Sequence, residues 1–186
     1  RHYSSLPKSH VIYTIAVIGF IYTIHLVLPM YSNSSFLSLF ASEKTLGLIY
    51  MIASGVTALG LLLTPFFIRK KGNNVTALWL IIIQILLVYG LTATTDPRLI
   101  ALFFILSSAV VVLIGFCLDI FLEVYSDKAN VGMIRGIYLT TMNSAWIIAP
   151  LIGSMIIGVG NDYRSVYIAS LFMLLPLFYL VYKNFP

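Results

Sequence analysis

LIALFFILSSAVVVLIGFCLDIFLEV, from Leu99 to Val124, runs twenty-six residues with two carboxylates and no cation. About 20 apolar residues in a helix cross the hydrocarbon core of a bilayer, so this stretch is long enough to span one. Asp119 stands inside it, among leucines, isoleucines and phenylalanines. An ionisable side chain at membrane depth costs about 2.5–3.5 kcal/mol on insertion scales, so its presence asks for a reason.

The rest of the chain has the same character. Hydrophobic residues make up 60% of it and charged ones 9%. A soluble domain carries roughly a quarter of its residues charged, so this composition belongs to an integral membrane protein. The single cysteine, Cys117, lies in an apolar run and excludes a disulfide framework within the chain. A net charge of +5 does not point to nucleic acid, because the cations fall in short turns between apolar runs.

Six segments have the length and apolarity of spans: 11–29, 46–68, 75–93, 99–124, 134–159 and 166–182. The first is too long for a cleavable signal peptide and lacks a small-residue cleavage site. Arg1, Lys8, Arg69, Lys70, Lys71, Lys128, Arg135 and Lys183 collect on one side of the membrane, against Lys44, Arg98 and Arg164 on the other. Eight cations against three place both termini and the two basic turns in the cytoplasm of a cell-membrane protein. The stretches YSNSSFLSLFASEK, TTDPR and GNDYR then face outward.

Small residues form stripes on two spans. Ala53, Thr57, Gly60 and Thr64 share one face of the second, and Thr141, Ala145, Ala149 and Gly153 repeat every four residues on the fifth. Such stripes let helix backbones approach closely in lipid. They suit packing within a bundle, and two of them in matching positions also suit an interface between larger units. The third and sixth spans are bulky throughout apart from Gln84, as lipid-facing supports would be. GFIYTIHL in the first span echoes GFCLDIFL in the fourth, and LIYMIAS in the second echoes GIYLTTM in the fifth. These echoes fit a three-plus-three duplication, whose odd helix count gives the two repeats opposite orientations. The expected fold is all-α and polytopic, with six transmembrane helices in a 3+3 inverted repeat.

On these motifs the chain resembles the amino-terminal half of a major facilitator superfamily transporter. AWIIAPLIGS, from Ala145 to Ser154, is similar to the family's fifth-helix antiporter motif, with Ala149-Pro150 for Gly-Pro and Gly153-Ser154 for Gly-Gly. Arg69-Lys70-Lys71-Gly72 stands where the family has its basic loop, although the preceding TPFFI lacks the usual acid, and LPMY closes the first span. The resemblance implies first and fourth helices lining a central cavity, second and fifth meeting an opposite half, and third and sixth facing lipid. It also implies a second six-helix half, either in one longer chain or as a second copy. An opening Arg1 in place of methionine reads as a trimmed piece of something longer. Pro150, between Ala149 and Gly153, reads as a hinge or leak-preventing element by the same resemblance, or as a tolerated membrane proline.

Several polar residues are candidates for chemistry. Asp119 and Glu123 lie four apart on one helical face, continued by Gly115, Val112 and Ser108. Asp119 suits proton or substrate coupling, or a gating ion pair at the cytoplasmic mouth with Arg135 or Arg69; Glu123 leans to the second role. His25 shares a face with Tyr22 and Thr14 and suits a cavity lining, or a neutral histidine satisfied by a neighbouring helix. Asn143 and Trp146 carry polar tips that need partners in lipid, facing a cavity or bridging helices. Tyr13, Tyr50 and Tyr138 lie nearer span ends, where aromatic belts are expected.

The function these residues suit is secondary transport of a small solute by alternating access, with or without exchange of protons. There is no G-x-x-x-x-G-K-[ST] run for ATP. Ser54 in IASGV has no base on a later helix, and neither H-E-x-x-H nor a histidine cluster exists, so no enzyme, metal or cofactor is expected. An intramembrane enzyme and a non-transporting scaffold are the competing classes. The expected partners are the bilayer, the second six-helix half and a small-molecule substrate.

Overall fold

The computed structural model describes residues 8–125, 131–158 and 162–185, with side chains from Tyr13 onward. Arg1, Lys128 and the start of the GNDYR turn, all used for orientation, lie outside the described residues. The described residues form seven helices and no strand: α1 Lys8–Met30, α2 Asn33–Ser38, α3 Glu43–Lys71, α4 Asn73–Ala93, α5 Pro97–Tyr125, α6 Val131–Ile157 and α7 Tyr163–Asn184. All but α2 are long and apolar enough to cross a membrane, so the protein is an all-α, multi-pass membrane protein by helix length and composition.

Local chemistry sets the helix ends. The Ser42 hydroxyl accepts from the Thr45 N–H at 3.4 Å to start α3, with Glu43 in the first turn and Arg69, Lys70 and Lys71 in the last. Acid at the amino end and base at the carboxy end both complement the helix dipole. Gly72 then separates α3 from α4 with a φ of +89°, a conformation that favours glycine. Asp96 accepts from Arg98 N–H at 2.8 Å beside Pro97, which opens α5. The Arg164 guanidinium of α7 donates to the carbonyls of Thr92 at 3.0 Å and Thr94 at 2.7 Å. It thereby caps the carboxy end of α4, where carbonyls lack partners of their own.

The outer stretch expected as loop contains α2. Phe36 and Leu37 are its buried residues, with Phe36 4.8 Å from the Tyr167 ring. The Tyr167 hydroxyl donates to Asn33 Oδ1 at 2.7 Å and ties α2 to α7.

The six long helices form an open arc. In packing order it runs α3, α5, α4, α7, α1, α6, and α1 touches α5 only lightly across the middle. Within their most apolar stretches, 11% of α3 and 17% of α6 is buried, against a third or more of the others. The arc's two end helices therefore carry the uncovered apolar faces, with Leu62, Phe66, Ile147 and Met155 all exposed. The bulky α4 and α7, expected to be the peripheral supports, are better covered because each packs on both neighbours in the arc.

Both small stripes are used inside the bundle. A Cβ at Gly60 would stand 3.1 Å from Leu113 of α5, and one at Gly153 would stand 3.4 Å from the Leu28 carbonyl of α1. Ala145 and Ala149 are completely buried. Close packing within the bundle uses these stripes; the exposed faces of α3 and α6 mix bulky residues such as Leu62 and Met155 with small ones such as Gly55, Ala58 and Gly136.

Candidate functional site

The floor between the arms of the arc is built by α1 and α5. Tyr22 donates its hydroxyl to the Val111 carbonyl at 2.9 Å, and a Cβ at Gly115 would stand 2.5 Å from that oxygen. Gly115 is therefore the gap in α5 that admits the tyrosine. Gly19 does the same in α1, where a Cβ would run into the Tyr138 ring of α6. Two glycines, one on each floor helix, thus make room for two tyrosines.

Above this floor opens a trough of about 390 Å³, lined by Tyr22, Leu61, Gly115, Asp119, Tyr138 and Trp146, among others. It runs on, through Phe116, Asp119 and Tyr138, into a second hollow of about 360 Å³ that adds Glu123 and Arg135. Asp119, Glu123 and Arg135 are exposed, and among the described residues none of them forms an ion pair or side-chain hydrogen bond. The structure thus brings Asp119, Glu123 and Arg135 around one hollow without joining them. Arg69, in the last turn of α3, is exposed and lines neither cavity.

The other candidates separate. Trp146 is half-buried in the trough wall, whereas Asn143 is exposed and lies outside it. Thr14 is half-buried and lines neither cavity. Pro150 sits in an unbroken α6, half-buried beside Ala149. Tyr138, read from the sequence as a belt residue, is buried and lines the trough.

His25 belongs elsewhere. It is 2% exposed and turns from the trough toward α4 and α7. Its Nδ1 lies 2.7 Å from the Ser170 hydroxyl and 3.0 Å from the Ser170 carbonyl, and its Nε2 lies 3.1 Å from Gln84 Nε2. Gln84 Nε2 in turn donates to the Ser107 hydroxyl at 3.0 Å, and the Ser170 hydroxyl donates to the His25 carbonyl at 3.0 Å. Four helices are thereby tied by one buried polar network. Gln84, Ser107 and Ser170 were not singled out as site residues from the sequence. The available signal was Gln84 itself, the one strongly polar side chain in the middle of α4.

Compared with known protein families, curated proteins and solved structures, the chain matches none of them.

Proposed function

We propose that this bundle is one half of a secondary carrier of the major facilitator kind, moving a small solute by alternating access. The observation that carries the reading is the trough: polar side chains converge on a floor made by α1 and α5, between two under-covered helices. A second six-helix unit laid across α3 and α6 would close the trough into a central cavity. The packing order also supports a 3+3 inverted repeat. Exchanging α1 with α5, α3 with α6 and α4 with α7 reverses the arc and leaves every principal neighbour unchanged. In this reading Asp119, which shares the cation-rich end of the trough with Arg135, takes and releases the coupling proton. Arg135 and Glu123 form the gate around it, and the basic end faces the cytoplasm of the cell membrane.

Labelling of the protein in sealed proteoliposomes tests alternating access. Met142 and Trp146 line the trough, and the only cysteine, Cys117, is buried, so a Cys117→Ala background serves as the control. Met142→Cys and Trp146→Cys should react with a membrane-impermeant thiol reagent from either face, at rates that a pH gradient shifts in opposite directions. Reaction from one face alone, whatever the gradient, would fit a static scaffold and refute the carrier.

A further inference from the structure

The helices α3 and α4 follow one another in the chain, yet α5 packs between them. Their hairpin holds a groove of about 500 Å³, walled by Leu63 and Phe67 of α3 and by Val75, Trp79 and Ile83 of α4. These wall residues are 40–62% exposed, so an occupant of the groove reaches them. Leu113 of α5 is also in the lining and is nearly buried.

The groove has little to offer a polar molecule. Thr64 spends its hydroxyl on the Gly60 carbonyl at 2.7 Å, and Thr76 spends its own on that of Gly72 at 2.7 Å. A long apolar body fits better. From Gly60 to Lys71 the α3 wall rises about 16 Å at ~1.5 Å per residue, and one leaflet's half of the hydrocarbon core is about 15 Å deep. The groove has the depth of one acyl chain.

Its end at the turn between the two helices is charged. Lys71 lines the groove there, and Arg69 and Lys70 precede it in the same helical turn. Between Glu43 and Asp96 the sequence holds no carboxylate, and among the described residues none of these three cations forms an ion pair. Gly72 gives α4 no side-chain cap, so the positive end of that helix dipole adds to the same sign. A cation at the membrane surface raises the affinity for an anionic lipid by about fivefold.

A free anion would use the charged end and leave the groove empty. A neutral apolar molecule would do the reverse. A lipid with an anionic phosphate headgroup uses both at once, because its charge and its chain are arranged as those of the groove are. We infer that this groove binds an anionic phospholipid, its chain along Phe67 and Trp79 and its phosphate on Lys71. The groove shares no residue with the trough, and a lipid in it needs no second bundle.

Trp79 and Trp146 are the only tryptophans, so Trp146→Phe leaves a single fluorescent reporter, in the groove. The test is quenching of Trp79 in vesicles of phosphatidylcholine and phosphatidylglycerol, with the chains of each lipid brominated in turn. Phosphatidylglycerol should bind beside Trp79 about fivefold more tightly than phosphatidylcholine. Arg69→Gln, Lys70→Gln and Lys71→Gln together should bring that ratio close to one. All three side chains are exposed, and continued quenching by brominated phosphatidylcholine shows that Trp79 still meets lipid. In the Trp79→Phe protein, Trp146 should report no such preference. A ratio near one before substitution, a ratio unmoved by the triple substitution, or the same preference at Trp146 would overturn the site. So would the absence of quenching by either lipid, which would mean that a protein surface covers the groove. No gradient or transport enters the measurement, so its failure is distinct from failure of the carrier.

Discussion

The two polar regions of this protein handle membrane depth in opposite ways. Around His25, four helices contribute side chains that satisfy one another, and the network is closed except at one amide atom. Around Asp119, the carboxylate, Glu123 and Arg135 face a common hollow, with no ion pair formed among the described residues. The first arrangement fixes helices in place. The second leaves charge free to be paired by something else, such as a proton, a solute or a facing helix. A buried group matched by fixed partners resists change, whereas an unmatched group at a cavity is where change can occur cheaply.

Substitutions can break that contrast, beginning with the largest effect. Asp119→Asn should abolish uptake driven by a pH gradient in proteoliposomes, by tenfold or more, while exchange of cargo across the membrane continues. Unaltered pH dependence would remove Asp119 from coupling. Ala149→Leu should force α6 off α1, with an overpacking cost of about 1–3 kcal/mol and a lower yield of folded protein. Normal yield and normal transport would deny the close contact. Ser170→Ala removes the hydroxyl that joins His25 from α7. Hydrogen bonds between membrane helices average about 0.6 kcal/mol each, so the loss should be roughly 1 kcal/mol in reversible unfolding. Arg135→Gln marks the other pole: an exposed cation with no ion pair among the described residues should change unfolding by less than about 0.5 kcal/mol. A larger loss would mean that the trough charges are already paired and the contrast is false.

The spans were legible because hydropathy needs only composition and length. Their ends were less so: α3 continues through Arg69, Lys70 and Lys71 to Gly72, since charge at a carboxy terminus favours the helix even though it ends the apolar run. The six residues of α2 carry no usable periodicity, and the helix is held by Phe36 and Leu37 reaching a core assembled from later helices. The small stripes were visible as faces, but their partners were not, because a face of glycine and alanine fits any close neighbour. The separation of His25 from Tyr22 is of the same kind. Three residues apart on α1, they diverge only because Gly115 admits one and Ser170 captures the other. Such choices belong to tertiary structure.

Arg164 carries a consequence for how the chain is built. The carbonyls of Thr92 and Thr94 are synthesised some 70 residues ahead of the guanidinium that caps them. While the intervening hairpin is still emerging from the ribosome, the end of α4 has only headgroup water to lean on. Insertion of α7 supplies those donors, so this end of α4 is completed only after two further helices have been made.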